Sequence, residues 1–154
     1  MRLTTFTDYS LRMLIFVATA PGERATIAEV AAAFGISESH LVKAAHLLGK
    51  SGVLATTRGR GGGLRLARPA PAIRIGAVVR ATEGGDLLAE CFDRASNRCV
   101  LTKACRLARV LGEALSAYYA VLDRYTLADL VENRAKVVAI LHPPRRALRA
   151  SRAG

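Results

Sequence analysis

Cys91, Cys99 and Cys105 are the only cysteines in the chain, and seven and five residues separate them. Thiolates are soft ligands that suit iron–sulfur clusters and zinc. An odd number of cysteines on one short stretch reads as metal or redox chemistry and not as a disulfide framework. Structural zinc normally takes four protein ligands, often in closely spaced cysteine pairs. No such pair is present, and the three histidines, His40, His46 and His142, lie far away in sequence. Three thiolates with an unusual fourth ligand therefore fit a labile iron–sulfur cluster better than zinc, and three unmetallated thiols are the plain alternative. Arg94, Arg98, Lys103 and Arg106 lie nearby and would offset thiolate charge.

A second chemistry is written in the charge. Lys and Arg outnumber Asp and Glu 23 to 12, a net charge of +11. Soluble domains usually carry a net charge of about 2–8 in magnitude, so the excess points to a polyanionic partner, nucleic acid ahead of membrane. Arginine supplies most of it, which suits bidentate contacts to phosphate and guanine. No segment approaches the ~18–20 apolar residues that span a bilayer. The stretch from Leu11 to Ala20 is short, is interrupted by Arg12 and lacks the order of a secretion signal. The expectation is a cytoplasmic protein with no membrane partner.

The elements that must position these groups follow from spacing. Leu11, Leu14, Ile15 and Ala18 mark a first helix, with Thr7 as its N-cap and Asp8 in its first turn. Thr26 and Glu29 form a capping box for a second helix whose stripe is Ile27, Val30, Ala31 and Phe34, stopped by Gly35. Ser37 caps a third helix running to about Lys50, and the pair reads as a helix-turn-helix unit. In the third helix Leu41, Ala44, Ala45 and Leu48 face inward, while Ser39, Lys43, His46 and Lys50 follow another face. A helix in the major groove presents such a polar face, its N-terminal residues nearest the bases. Ser39, His40 and Lys43 are the candidates for base contact, and Ser37 for a phosphate at the helix N-terminus.

Val53–Thr57 and Leu64–Ala67 read as two strands around Arg58-Gly59-Arg60-Gly61-Gly62-Gly63, a β-hairpin wing. Arg58 and Arg60 can reach phosphates or a narrow minor groove, with Arg65 as a supporting candidate. The glycine run is a weak match to a nucleotide phosphate loop, because no Lys-Ser or Lys-Thr follows it. Ile75–Glu83 is a further helix. After the cysteines a long helix runs to about Arg124, with Ala104, Ala108, Leu111, Leu115, Tyr118 and Leu122 at alternating steps of four and three. That is the seam of a helix pair, read here as a dimer seam in preference to docking on the chain's own core. Thr126 caps a last helix, Leu127 to about Leu141.

The fold class expected is mainly α with a small β-hairpin. Residues 1–83 form a winged helix-turn-helix domain, 84–105 a cluster-binding loop, 106–141 dimerisation helices and 142–154 a basic disordered tail. The helix-turn-helix with its wing argues against a redox enzyme or electron carrier, and no substrate pocket or paired acid and base is legible.

Four segments carry a resemblance over nearly the whole chain. They are Phe6–Arg12 (FTDYSLR), Arg58–Leu66 (RGRGGGLRL), Ile73–Gly76 (IRIG) and Tyr125–Leu130 (YTLADL). Together they resemble the NsrR-type nitric-oxide-sensing repressors, iron–sulfur winged-helix regulators of bacteria. The resemblance implies a homodimer that binds a near-palindromic double-stranded operator while its cluster, 4Fe–4S or 2Fe–2S, is intact. Nitric oxide is the implied signal, and attack on the cluster releases the operator. Cys91, Cys99 and Cys105 are the implied ligands. In some members an Asp at the start of the first helix, supplied by the other subunit, completes the cluster, and Asp8 occupies that position. The Cys91–Cys99 gap exceeds the family pattern by about two or three residues, an insertion that a loop absorbs at little cost. The Arg-rich stretch after Pro143 is outside the pattern. The rival readings are a regulator of the same fold responding to iron or cluster status, and a zinc-stabilised repressor.

Overall fold

A computed structural model describes residues 3–57, 59, 61–84, 89–93 and 95–143. Arg58 and Arg60, the Arg-rich end and Arg94 lie outside the described residues.

The chain opens with α1 (Thr5–Thr19), capped by Thr4, whose Oγ1 accepts a hydrogen bond from the Thr7 amide at 3.2 Å. The helix therefore starts earlier than Thr7, the cap expected from sequence. Thr7 is instead fully buried in the first turn. Both threonines are competent caps; Thr4 wins because the Thr4 amide is also held by Glu83 Oε1 at 2.9 Å. Met13, Leu14, Phe16 and Val17 make α1 the central helix of the core.

Helix α2 (Ile27–Phe34) has the anticipated capping box: the Thr26 amide donates to Glu29 Oε2 at 2.7 Å and the Glu29 amide donates to Thr26 Oγ1 at 3.2 Å. Gly35 ends it in the left-handed region, φ 64°, where a side chain carries a steric cost. Helix α3 (Glu38–Lys50) follows at once and buries Leu41, Ala44, Ala45 and Leu48. This matches the inward face read from spacing.

Strands β1 (Leu54–Thr57) and β2 (Gly63–Leu66) pair antiparallel, Leu54 opposite Leu66 and Thr57 opposite Gly63. Leu54 and Leu64 fix the hairpin to the core. At its base Arg68 donates to the Gly52 and Ser51 carbonyls, both at 2.9 Å. Those carbonyls follow the end of α3, where a cation is favourable.

Helix α4 (Ile75–Glu83) buries Ile75, Val78 and Val79. It lies so close to the end of α5 (Arg106–Leu122) that a Cβ on Gly76 would overlap the Asp123 carboxylate and stand 3.1 Å from the Asp123 amide nitrogen. The Leu127 amide donates to the Ile73 carbonyl at 2.8 Å and the Ile75 amide to the Tyr125 carbonyl at 3.0 Å, locking the chain after α5 onto the start of α4.

The last helix is two. Helix α6 (Leu127–Leu130) has a capping box from Thr126 and Asp129, and α7 (Arg134–Leu141) restarts after Asn133. Val131 leaves helical geometry at φ −116°, ψ 19°. The break lets Leu127 and Val131 both reach the interior. Beyond α7, His142 packs on Phe16 with ring centroids 4.3 Å apart, and its Nε2 is 3.2 Å from Thr19 Oγ1. Burial holds the His142 imidazole below its ordinary pKa. Among the described residues no helix is long and apolar enough to cross a membrane.

Candidate DNA-binding face and cysteine loop

On α3 the residues Ser39, His40, Lys43, His46 and Lys50 are all exposed. Ser37 stands at the N-cap position, but its hydroxyl makes no capping bond. It instead lies 3.0 Å from His40 Nδ1 and 3.2 Å from Ser39 Oγ. The His40 amide donates to the Ser37 carbonyl at 3.2 Å, and Ser37, Ser39 and His40 form one polar cluster. Tyr9 on α1 backs it, its ring centroid 6.0 Å from that of His40. Val42, not singled out by its spacing, is 55% exposed on the same helix. An apolar residue exposed amid a polar face was the signal available.

In the wing, Arg65 is exposed and pairs with Ala55, pointing away from buried Leu64. Gly59, Gly61 and Gly63 all have positive φ, at 91°, 83° and 154°. Those values suit glycine, whose lack of a side chain lets backbone come close to a ligand.

The cysteines sit on the segment between α4 and α5. Cys91 is in a single 3-10 turn (Glu90–Phe92), Cys99 is exposed, and Cys105 is the N-cap residue of α5. None is in a disulfide. Local hydrogen bonds shape the loop around them. The Asp93 carboxylate accepts from Ser96 Oγ at 2.6 Å and from the Ala95 amide at 3.0 Å, which holds its pKa below the usual carboxylate range. Asn97 Oδ1 accepts from the Cys99 amide at 3.0 Å and Thr102 Oγ1 donates to the Cys99 carbonyl at 2.7 Å. Among the described residues these bonds run through the backbone and the Asp93, Ser96, Asn97 and Thr102 side chains. As a donor set of soft sulfur ligands the three thiols fit iron. Among the described residues, however, no three His, Cys, Asp or Glu side chains are grouped to hold a metal.

Asp8 is in the first turn of α1, remote in sequence from the cysteines. Its carboxylate is held one turn on by Arg12, Nε at 3.0 Å and Nη2 at 2.9 Å. Together they line an open groove of about 670 Å³ with Leu3, Tyr9, Phe34 and Ile36.

The long helix revises the seam expected of it. Leu115, Tyr118 and Leu122 pack against the core of their own chain, and burial followed by the Glu83 charge raises the Tyr118 pKa. Another stripe of the same helix is left uncovered: Leu107, Val110, Ala114, Ala117 and Val121, at steps of three and four. Leu107 is 62% exposed and Val110 56%. Ala104, expected to start the seam, precedes the helix and is exposed. A second apolar stripe on the same helix is what period counting could not rank.

A capped helix pair, an exposed polar third-helix face and a glycine-tipped hairpin define a winged helix-turn-helix DNA-binding regulator of transcription. Residues 3–133 match the Rrf2 family, described as iron-dependent transcriptional regulators. The chain belongs to that family. It is similar to the HTH-type transcriptional regulators NsrR of Bacillus subtilis and Geobacillus kaustophilus, 50% and 52% identical over 142 residues. Each comparison covers 92% of this chain and 97% of the relative. Among solved structures, the oxidized form of Staphylococcus aureus CymR matches with a TM-score of 0.66 at 26% identity, over 86% of this chain and 97% of that one. T. potens IscR matches with a TM-score of 0.66 at 28% identity, over 86% and 88%.

Proposed function

We propose that this repressor senses nitric oxide through an iron–sulfur cluster held by Cys91, Cys99 and Cys105, with Asp8 of the partner subunit as the fourth ligand. The observation that carries the reading is three free thiols on one segment that ends at the first turn of α5, in a family described as iron-dependent. When bound, the cluster supplies iron that reacts with nitric oxide.

The protein's own residues do the rest. The homodimer forms along Leu107, Val110, Ala114, Ala117 and Val121, an apolar run at the spacing of a helix pair. It sets two α3 helices about one turn of B-DNA apart, ~34 Å. Ser39, His40 and Lys43 read base edges, Ser37 and the first-turn amides of α3 take a phosphate, and Arg58, Arg60 and Arg65 serve the wing. Asp8 is released by Arg12 when it turns to the partner's cysteine loop. Such ties hold the half-site spacing narrow, and their loss broadens it. A tenfold fall in operator affinity requires only ~1.4 kcal/mol.

Iron and acid-labile sulfide, measured per chain on protein purified without oxygen, test the assignment. About four of each supports a 4Fe–4S cluster and about two a 2Fe–2S cluster. Nitric oxide then releases operator DNA from the loaded protein. Neither iron nor sulfide, in protein that still binds DNA tightly, overturns the sensor. The description of the family as iron-dependent favours one second reading, a regulator of iron supply or cluster status. In that case iron chelation, and not nitric oxide, governs operator release at signalling concentrations.

A further inference from the structure

A wing of two four-residue strands is marginal by itself, and its pairing ends at Thr57 and Gly63. Whatever else touches the tip decides how it is aimed. One touching segment is the turn between α1 and α2. Ala25 and Leu64, both almost fully buried, exchange backbone hydrogen bonds: the Ala25 amide donates to the Leu64 carbonyl at 3.1 Å and the Leu64 amide to the Ala25 carbonyl at 2.7 Å. This makes Ala25 a one-residue third strand beside the wing.

Immediately before it, Arg24 reaches outward along the hairpin. Its Nη1 donates to the carbonyl of Gly61, in the tip itself. Its aliphatic stem runs so close to Gly63 that a Cβ there would stand 3.1 Å from Arg24 Cγ and 2.7 Å from the Ala25 carbonyl oxygen. The turn that presents Arg24 is unusual, with Gly22 and Glu23 both at positive φ, 69° and 55°.

We propose that Arg24 is a positioning residue for operator recognition: it grips the Gly61 carbonyl and aims the basic wing tip relative to α3. Its cationic guanidinium acts on the backbone of the tip, through which the wing arginines act on the duplex. This rests on the reading that α3 and the wing together bind the operator. Arg24 is exposed, so its removal leaves the core intact.

The test uses the full-length homodimer and a duplex that the wild-type protein selects from a randomised pool, with affinity read at fixed salt. R24A binds about tenfold more weakly, while its melting temperature stays within about 2 °C of wild type. R24K, whose ammonium still donates to a carbonyl, stays within about threefold. In a background carrying R58A and R60A, adding R24A costs less than about twofold, because its effect passes through the wing. An equal loss in both backgrounds overturns the inference alone and makes Arg24 a direct phosphate contact. Unchanged affinity in R24A also overturns it alone. Full affinity in the R58A/R60A protein refutes the wing contact itself, and the inference with it.

Discussion

Arg80 and Asp123 form a two-pronged pair, Nη1 to Oδ1 at 2.8 Å and Nη2 to Oδ2 at 2.6 Å, between α4 and the residue that follows α5. The guanidinium also lies over the Tyr119 ring, 4.3 Å from its centroid. The Arg80 hydrogen bonds hold the Asp123 carboxyl below its ordinary value of 3.8. A carboxylate with a lowered folded-state pKa adds stability that is fully present above 3.8 and is lost as pH falls through the lowered value. Asp93 and Asp129 are shifted the same way by hydrogen bonds to Ser96 and Thr126. Thermal melts from pH 6 down to about pH 2 should fall most steeply below about pH 4. Asp123→Asn should melt lower at pH 6 and show a shallower acid decline. An unchanged decline would remove Asp123 from the account.

The uncovered stripe of α5 gives a sharper outcome. Val110→Glu places a charge in the middle of the proposed seam without touching the chain's own core. Sedimentation should show a dimer becoming a monomer, and operator affinity should fall by about a hundredfold or more as the two half-sites lose their linkage. Leu115→Glu, on the face that packs inward, should unfold the protein instead. A dimeric Val110→Glu protein would exclude this stripe.

Val42 offers a test at single-group resolution. An exposed aliphatic side chain on a groove-reading helix is suited to a thymine methyl group. Replacing the relevant operator thymine by uracil should weaken wild-type binding about fourfold, the value of one buried methyl group. The same replacement should leave Val42→Ala indifferent. If no thymine position behaves this way, Val42 faces something other than a base.

Asp8 and the cysteines should separate in their effects on iron. Cys99→Ala should bind no cluster. Asp8→Ala retains three thiolates, so it should load iron but lose it in air about tenfold faster or more, the scale of a weakened metal site. Iron content against time reads both. Equal retention in Asp8→Ala and wild type would eliminate Asp8 as a ligand.

How much of this was legible from residues alone differs from element to element. The α2 capping box, the Gly35 stop, the inward face of α3 and both wing strands were readable because local hydrogen bonds and short-period burial decide them. Thr4 displaced Thr7 as the first cap through a contact to Glu83, distant in sequence. The terminal helix broke at Val131 to bury two residues at once, a demand of the tertiary core. Helix α5 carries two apolar stripes, and only packing shows that Leu115, Tyr118 and Leu122 face home. The cysteines are a different case. Their type and spacing advertise chemistry, whereas among the described residues no three ligating side chains are brought together to hold a metal.

The missing side chain at Gly76 makes the junction of α4 and α5 behave like a carpenter's square. With the helix backbone almost in contact with Asp123, and with Ile73 and Leu127 bonded beside it, the corner has no slack in which to bend. On the proposed sensor mechanism, a tilt imposed at the Cys105 end of α5 would be passed through this corner to the domain that carries α3. Gly76→Ala would force that corner open, shifting α4 against α5, and on the proposed dimer it would change the angle at which the two α3 helices meet the duplex.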